Sequence, residues 1–185
     1  MTTKPIIVIC GPTAVGKTTV VKKLLQKLNY LSTAVTYTTR AKRAESEDKD
    51  MRYISQQEFE DKIREDHFLE WAEFSGDYYG TSKPESLETL KHKPLLLNIE
   101  VKGSLQIKSK FPNALLIYIL PENLEQLLER FRQRGWAGTK FTERKEAAEW
   151  SLSQADKFDY QVVNKEGLVE HTVDQIAKII EAYIG

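Results

Sequence analysis

Apolar residues along this chain fall into short strand-like runs that alternate with helical segments. The runs are Pro5–Cys10, Leu31–Tyr37, Pro94–Ile99, Ala114–Leu120 and Tyr160–Val163. Between most of them, apolar residues recur at helical spacing in Lys17–Leu28, Ser104–Lys110, Leu124–Arg134, Glu143–Lys157 and Val169–Tyr183. This alternation predicts a three-layer α/β/α fold of the α/β class, in which helices cover both faces of a mostly parallel five-stranded sheet.

The middle of the chain, about 41–90, breaks the alternation. A capping box, Ser55–Glu58, predicts a helix that runs to about Glu65. Two short strands, Phe68–Phe74 and Asp77–Gly80, are predicted to follow it. We therefore expect a small inserted subdomain here. The glycine- and threonine-containing segment Gly135–Thr142 predicts a mobile loop.

Composition narrows the function classes. The 27 basic and 27 acidic residues cancel, so no global field favours nucleic acid or an anionic membrane as a partner. The single cysteine, Cys10, excludes an intramolecular disulfide framework and is typical of a reducing compartment. No apolar run reaches membrane-spanning length, and residues 1–4 carry no signal-peptide pattern. We expect a cytoplasmic protein with no membrane partner.

The most informative motif is a G-x-x-x-x-G-K-[ST] loop that runs from Gly11 to Thr18, between a predicted strand and a predicted helix. Backbone N–H groups of such a loop converge on phosphate oxygens, and the helix N-terminus adds partial positive charge. Lys17 is expected to reach the β- and γ-phosphates, and the Thr18 hydroxyl to bind Mg²⁺. A bound nucleoside triphosphate would contact Gly11, Pro12, Thr13, Ala14, Val15, Gly16, Lys17, Thr18 and Thr19.

Phosphoryl transfer also needs a site for the acceptor. Arg40 and Arg43 follow a predicted strand end, and guanidinium groups match phosphate oxygens bidentately. Taken alone, this segment fits a solvent-exposed basic turn equally well.

Further segments occur in a characteristic order, and together with the loop they resemble the guanylate kinase family over nearly the whole chain. The matching segments are Gly11–Thr19, Val35–Arg43, Phe68–Thr81, Leu97–Gly103, Arg132–Gly135 and Val162–Asn164. The resemblance implies a P-loop kinase fold made of a single domain, 1–185. Its core would be 1–40 and 91–185, with a lid at about 135–145 and an inserted GMP-binding subdomain at about 41–90.

The resemblance implies the reaction ATP + GMP = ADP + GDP, by direct in-line transfer with Mg²⁺. GMP or dGMP would be the acceptor, and the enzyme would be a monomer or homodimer. Glu70 would accept hydrogen bonds from N1–H and the amino group of guanine, and Arg40, Arg43 and Tyr79 would hold the phosphate. The full acceptor set implied is Thr36, Arg40, Arg43, Glu70, Tyr79, Thr81 and Glu100.

On the donor side, the resemblance assigns Arg130, Arg134 and Arg144 to a lid that closes over the transferring phosphoryl group. It places Asn164 near the donor adenine. The residues expected to act in catalysis are Lys17, Arg40, Arg134 and Arg144. Trp71, which alternates out of phase with Glu70, is expected to pack in the core.

Departures from the family pattern cluster at the acceptor. Met51 stands where the family has a phosphate-binding tyrosine, although a different register gives that place to Arg52 or Tyr53. Asn98 and Glu100 replace two aspartates. Three interpretations stay open: a working guanylate kinase, a paralogue with low activity or another acceptor, and a non-catalytic binding module.

Overall fold

The computed structural model describes residues 4–42, 50–74 and 76–185. In these ranges the strands are β1 (Ile6–Cys10), β2 (Ser32–Thr33), β3 (Thr36–Thr38), β4 (Met51–Tyr53), β5 (Phe68–Phe74), β6 (Asp77–Ser82), β7 (Leu95–Asn98), β8 (Leu115–Pro121) and β9 (Tyr160–Asn164). The helices are α1 (Lys17–Lys27), α2 (Gln56–Arg64), α3 (Lys83–Thr89), α4 (Val101–Lys110), α5 (Leu124–Gln133), α6 (Gly138–Leu152) and α7 (Val169–Ile184), with a 3₁₀ turn at Ala155–Lys157. None of the helices in the described ranges combines the length and the apolar character needed to cross a bilayer.

The larger sheet has five strands in the order β2-β7-β1-β8-β9. The pairs β2–β7, β1–β8 and β8–β9 are all parallel. The β-branched run of β1 is buried along its whole length, as expected for a strand covered on both faces. The predicted α/β fold with a mostly parallel five-stranded sheet is confirmed.

The smaller sheet has four strands in the order β4-β3-β6-β5, and a β-bulge interrupts its β5–β6 pairing. Phe68 pairs with Ser82 and Glu70 with Thr81, so Leu69 is the extra residue. Because of this residue, Phe68 and Glu70 lie on opposite faces although they are two positions apart. Phe68 joins an aromatic face on which it stacks with Phe59 of α2 at 4.6 Å.

The chain divides into two compact units. The first comprises Met1–Ile6, Tyr30–Leu97 and Lys102–Ala114, and the second comprises Ile7–Asn29, Asn98–Val101 and Leu115–Gly185. In the first unit, α3 packs on β5 and β6 of the smaller sheet. In the second, α1 packs against α7, and α7 against β9. The functional division predicted from the sequence, with an inserted subdomain at 41–90 and a lid at 135–145, stays a prediction.

Several local predictions need correction. The single strand predicted at Leu31–Tyr37 is two strands, β2 and β3, which belong to different sheets. The mobile loop predicted at Gly135–Thr142 is wrong from Gly138 onward, because α6 begins there. Trp71 is 37% exposed rather than part of the core, and its ring lies 6.0 Å from that of Tyr78. Arg43 lies outside the described residues.

Candidate functional site

The loop between β1 and α1 has a backbone that only small residues can form. Gly11 and Gly16 have φ values of +150° and +105°. A Cβ on Gly11 would lie 2.5 Å from the Ile119 carbonyl oxygen, and one on Gly16 would lie 2.7 Å from Asn164 Nδ2. The loop therefore packs tightly against its own unit on one side. Both glycines were predicted from the motif, and the structure gives each a steric reason.

Lys17 folds back over this loop. Its Nζ donates to the carbonyl oxygen of Gly11 and, at 3.2 Å, to that of Pro12. The Glu100 carboxylate is 3.4 Å from the same ammonium. The sequence places Glu100 in the acceptor set, and the structure pairs it with the donor-side lysine. An ammonium held in this way lies next to the backbone N–H groups that would surround a bound phosphate.

The first turn of α1 is open to an anion. It carries no acidic residue, and the Gly16 N-cap supplies no side chain to satisfy the free N–H groups. Thr18 and Thr19 are both exposed there. The described residues include no group of three or more His, Cys, Asp or Glu side chains that could hold a metal ion. A Mg²⁺ site at Thr18 would thus need most of its oxygen ligands from water and from nucleotide phosphates, which is how this ion is usually bound.

A cavity of about 400 Å³ adjoins the loop, and Ala14, Gly16, Thr19, Arg130, Arg134 and Asn164 are among its lining residues. Arg130 Nη1 donates to the Ala14 carbonyl oxygen at 2.9 Å. Ala14 has a φ of +66°, a left-handed conformation that glycine adopts with less strain. The guanidinium of Arg130 thus supports the one non-glycine residue of the loop with a positive φ.

Asn164 has a clear structural role. Its Nδ2 donates to the Val15 carbonyl oxygen at 2.8 Å, and its Oδ1 accepts from the Thr172 hydroxyl at 2.9 Å. The residue is buried, with 5% of its surface exposed. Both ends of the amide are therefore occupied within the protein, and Asn164 braces the loop. The contact with adenine implied by the resemblance would need hydrogen-bonding capacity of the amide that these two bonds do not use.

The predicted acceptor residues of the first unit form a row across the smaller sheet. Thr36 of β3 pairs with Thr81 of β6, and Thr81 pairs with Glu70 of β5. The Thr81 hydroxyl donates to Glu70 Oε1 at 2.5 Å. In the next row, Tyr79 pairs with Thr38. Strand register therefore brings together the side chains predicted to contact the base, although they are far apart in the chain.

Glu70 is an unusual carboxyl group because it is only 4% exposed. Burial raises its pKa from 4.5 to about 7, since the charged form loses its hydration. The Thr81 hydrogen bonds and the charge of Lys110 oppose this shift. Lys110 is also tied to this strand, because its Nζ donates to the Leu69 carbonyl oxygen at 2.6 Å. The site thus holds a buried titratable carboxyl with Thr81 as its hydrogen-bond partner.

Two of the residues considered for the place of the phosphate-binding tyrosine, Met51 and Tyr53, lie near Arg40. Arg40 Nη2 donates to the Tyr53 hydroxyl at 3.4 Å and lies 3.8 Å from Met51 Sδ. Its guanidinium carbon is 5.7 Å from the centroid of the Tyr53 ring. Arg52, between them in the chain, is exposed. Met51 and Tyr53 therefore share the Arg40 side of β4, and the hydroxyl there comes from Tyr53.

Some residues that lie near the predicted site residues had no signal in the sequence. Lys110 lies on α4, 40 positions after Glu70 in the chain, and only tertiary structure relates the two. Trp136, which contacts both Arg134 and Arg144, lies in the segment that was predicted to be a loop. Arg132 is half exposed and forms ion pairs with Glu125 and Glu129.

A G-x-x-x-x-G-K-[ST] loop between a buried strand and a helix defines a P-loop nucleotide-binding protein. The guanylate kinase family model matches residues 2–183. The chain is 41% identical to a guanylate kinase of Gloeobacter violaceus, covering 96% of this chain and 83% of that protein. It is 38% identical to one of Prochlorococcus marinus subsp. pastoris, covering 97% and 98%. The crystal structure of guanylate kinase from Anaplasma phagocytophilum superimposes with a TM-score of 0.79 at 28% identity, covering 98% and 87%. The chain belongs to the guanylate kinase family.

Proposed function

We propose that this protein transfers the γ-phosphoryl group of ATP to GMP and so forms ADP and GDP. The observation that carries the proposal is the row of Thr36, Thr81 and Glu70 across the smaller sheet, which ends in a buried carboxyl. A guanine edge offers two adjacent N–H donors, and an ionised carboxylate can accept both. Adenine offers no such pair, so its binding would desolvate the buried carboxylate without supplying these two hydrogen bonds, at a high cost.

Arg40 and Tyr53 supply the anchor for the acceptor phosphate in this proposal. The guanidinium is already oriented by the Tyr53 hydroxyl at 3.4 Å, and Tyr79 lies in the adjacent row of the sheet. Arg43 is assigned here by the resemblance alone. A charge-assisted hydrogen bond from each of these groups would fix the phosphate without any covalent intermediate.

On the donor side, Lys17 and the backbone of the loop would hold the triphosphate. The ammonium is positioned by the carbonyl oxygens of Gly11 and Pro12 and by Glu100, and it can exchange these contacts for phosphate oxygens. Thr18 would help to hold Mg²⁺, which neutralises charge on the phosphates when bound. Arg134 and Arg144 would stabilise the charge that develops on the transferring group.

The two other interpretations receive no support from the relatives. A non-catalytic module has no physical need for the Lys17 contacts, and the missing tyrosine at Met51 is offset by the Tyr53 hydroxyl. We also propose that the protein acts in the cytoplasm, where its nucleotide substrates occur, as a monomer or homodimer. Analytical ultracentrifugation would determine which of these forms is present.

Turnover on a panel of acceptors tests the proposal. A coupled assay of ADP release should show turnover with ATP and GMP, less with dGMP, and none above background with AMP, UMP or CMP. No turnover on GMP at saturating ATP would exclude the proposed reaction.

Glu70→Gln tests the base-reading role separately. The variant should raise the KM for GMP far more than the KM for ATP, because the amide can accept only one of the two guanine N–H groups. Glu73→Gln, an exposed position on the same strand, is the matched control and should leave both constants unchanged. Equal rises in both KM values for Glu70→Gln would remove this role.

A further inference from the structure

Trp136 lies in the short connection between α5 and α6. Three cationic side chains, one from this connection and two from the first turns of α6, lie near its ring. The guanidinium carbons of Arg144 and Arg134 lie 5.1 and 5.5 Å from the centroid of its aromatic ring. The Lys140 ammonium lies 5.8 Å from it. All three are within the roughly 6 Å over which an aromatic face attracts a cation. We name Trp136, Arg134, Lys140 and Arg144 the Trp136 cluster.

The indole is held by the core of its unit. Its ring centroid is 5.2 Å from that of Phe131, which is fully buried. The Trp136 backbone N–H donates to the Phe131 carbonyl oxygen at 3.1 Å. Phe141 packs edge-on against Phe131 at 6.3 Å. A ring that is fixed at its backbone and along an aromatic neighbour is a rigid platform.

Three like charges this close to one ring repel one another, and arginine side chains lose much rotamer freedom when they are ordered. The negative face of the indole offsets part of both costs. Ordering the guanidinium groups before a nucleotide arrives reduces the entropy that must be lost on reaching the transition state. The platform therefore has a physical consequence for any reaction that these arginines assist.

We propose that Trp136 is a positioning residue, whose indole holds the Arg134 and Arg144 guanidinium groups ready for the phosphates of the nucleotide. This inference rests on the proposed function, in which both arginines contact the transferring phosphoryl group. When phosphate binds, each guanidinium exchanges contact with the ring for contact with phosphate oxygens, and the surroundings of the indole change.

Kinetics of full-length variants provide the first test. Trp136→Leu should lower kcat about tenfold while the KM for GMP stays within about twofold of the parent value. Trp136→Phe keeps an aromatic face and should recover kcat to within about threefold of the parent. Trp150→Leu, on α6 at a position 47% exposed, is the matched control and should keep the parent kcat. An unchanged kcat in Trp136→Leu, or a Trp136→Phe variant as slow as Trp136→Leu, would overturn the proposal.

Fluorescence provides a second test that needs no turnover. The chain has 3 tryptophans, so the double variant Trp71→Phe, Trp150→Phe leaves Trp136 as the only tryptophan, which can be excited at wavelengths that tyrosine does not absorb. Titration with inorganic tripolyphosphate should change its emission saturably, and replacing Arg134 and Arg144 by methionine should abolish the change. Emission that stays constant throughout the titration overturns the proposal.

The two tests also separate this inference from the proposed function. A parent protein that fails to phosphorylate GMP but keeps the fluorescence response would refute the reaction and support the cluster. A parent that turns over GMP, with Trp136→Leu equally fast, would refute the cluster alone.

Discussion

The burial of the Glu70 carboxyl leads to a prediction about the stability of the protein that is independent of catalysis. Its pKa is raised from 4.5 to about 7 in the folded protein, because burial disfavours the charged form. Between these two values the folded state binds a proton that the unfolded state has released. The contribution of Glu70 to stability is therefore complete below about pH 4.5 and is lost as the pH rises through about 7.

The size of this effect follows from the shift. A rise from 4.5 to about 7 corresponds to about 3 kcal/mol of unfolding free energy lost above the folded-state pKa. In Glu70→Gln the amide carries no charge, and its oxygen can still accept the Thr81 hydroxyl hydrogen bond. The stability of the variant relative to the parent should thus increase by about 2 kcal/mol between pH 5 and pH 8.5. For a chain of this size that corresponds to about 4–8 °C in Tm.

Thermal unfolding followed by circular dichroism, without nucleotide, measures this difference at both pH values. Glu73→Gln again serves as the control, since its exposed position should give the parent profile. If the Tm difference between Glu70→Gln and the parent is the same at pH 5 and pH 8.5, the linkage is wrong. The variant that binds GMP worse is thus expected to be the more stable protein at alkaline pH.

Four further changes test other parts of the structure. Lys17→Ala should lower kcat at least about 100-fold in the coupled assay while the circular dichroism spectrum stays unchanged; retained turnover would exclude the lysine from the mechanism. Tyr53→Phe should raise the KM for GMP about three- to tenfold, and an unchanged KM would show that its hydroxyl is not used. Gly80→Ala should destabilise the protein by about 1–3 kcal/mol in urea, because the added Cβ would lie 2.8 Å from the Phe68 ring; an unchanged midpoint would contradict this packing. Ala14→Gly should raise stability by about 1 kcal/mol by relieving the left-handed φ, and a lower Tm would contradict that strain.

Local patterns predicted the elements whose causes are local. The β-branched run before Gly11 is β1, and the capping box at Ser55 has both of its reciprocal hydrogen bonds, from the Glu58 N–H and to the Glu58 carboxylate. Predictions failed where packing between elements decides the structure. The helix α6 begins within a glycine-containing segment whose aromatic residues pack on Phe131 of another helix. The local sequence shows the helix-breaking glycines, but it does not show that Trp136 and Phe141 pack on Phe131.

The same distinction between local and tertiary causes applies to the candidate site. The loop residues could be predicted because their spacing is itself the structure, whereas the row at Glu70 depends on the pairing of three strands. Alternation correctly separated Glu70 from Trp71, but it assigned the apolar side chain to the interior. Glu70 is buried because Thr81, from another strand, gives its oxygen a partner. No rule based on hydrophobicity alone would have placed the carboxylate inside.

The bulge at Leu69 decides which face of β5 carries the Glu70 carboxyl. Leu69 lies between Phe68, which faces the aromatic side, and Glu70, which faces Thr81. Without the bulge, a strand of the same length would place Phe68 and Glu70 on one face, because residues two positions apart in a regular strand share a face. Either the phenyl ring would then enter the polar row or the carboxylate would enter the aromatic face, with no change to either residue. Deleting Leu69 would instead leave a regular ladder that keeps Phe68 and Glu70 on opposite faces. The arrangement thus depends on the extra residue being accommodated as a bulge, and not on the identity of its side chain.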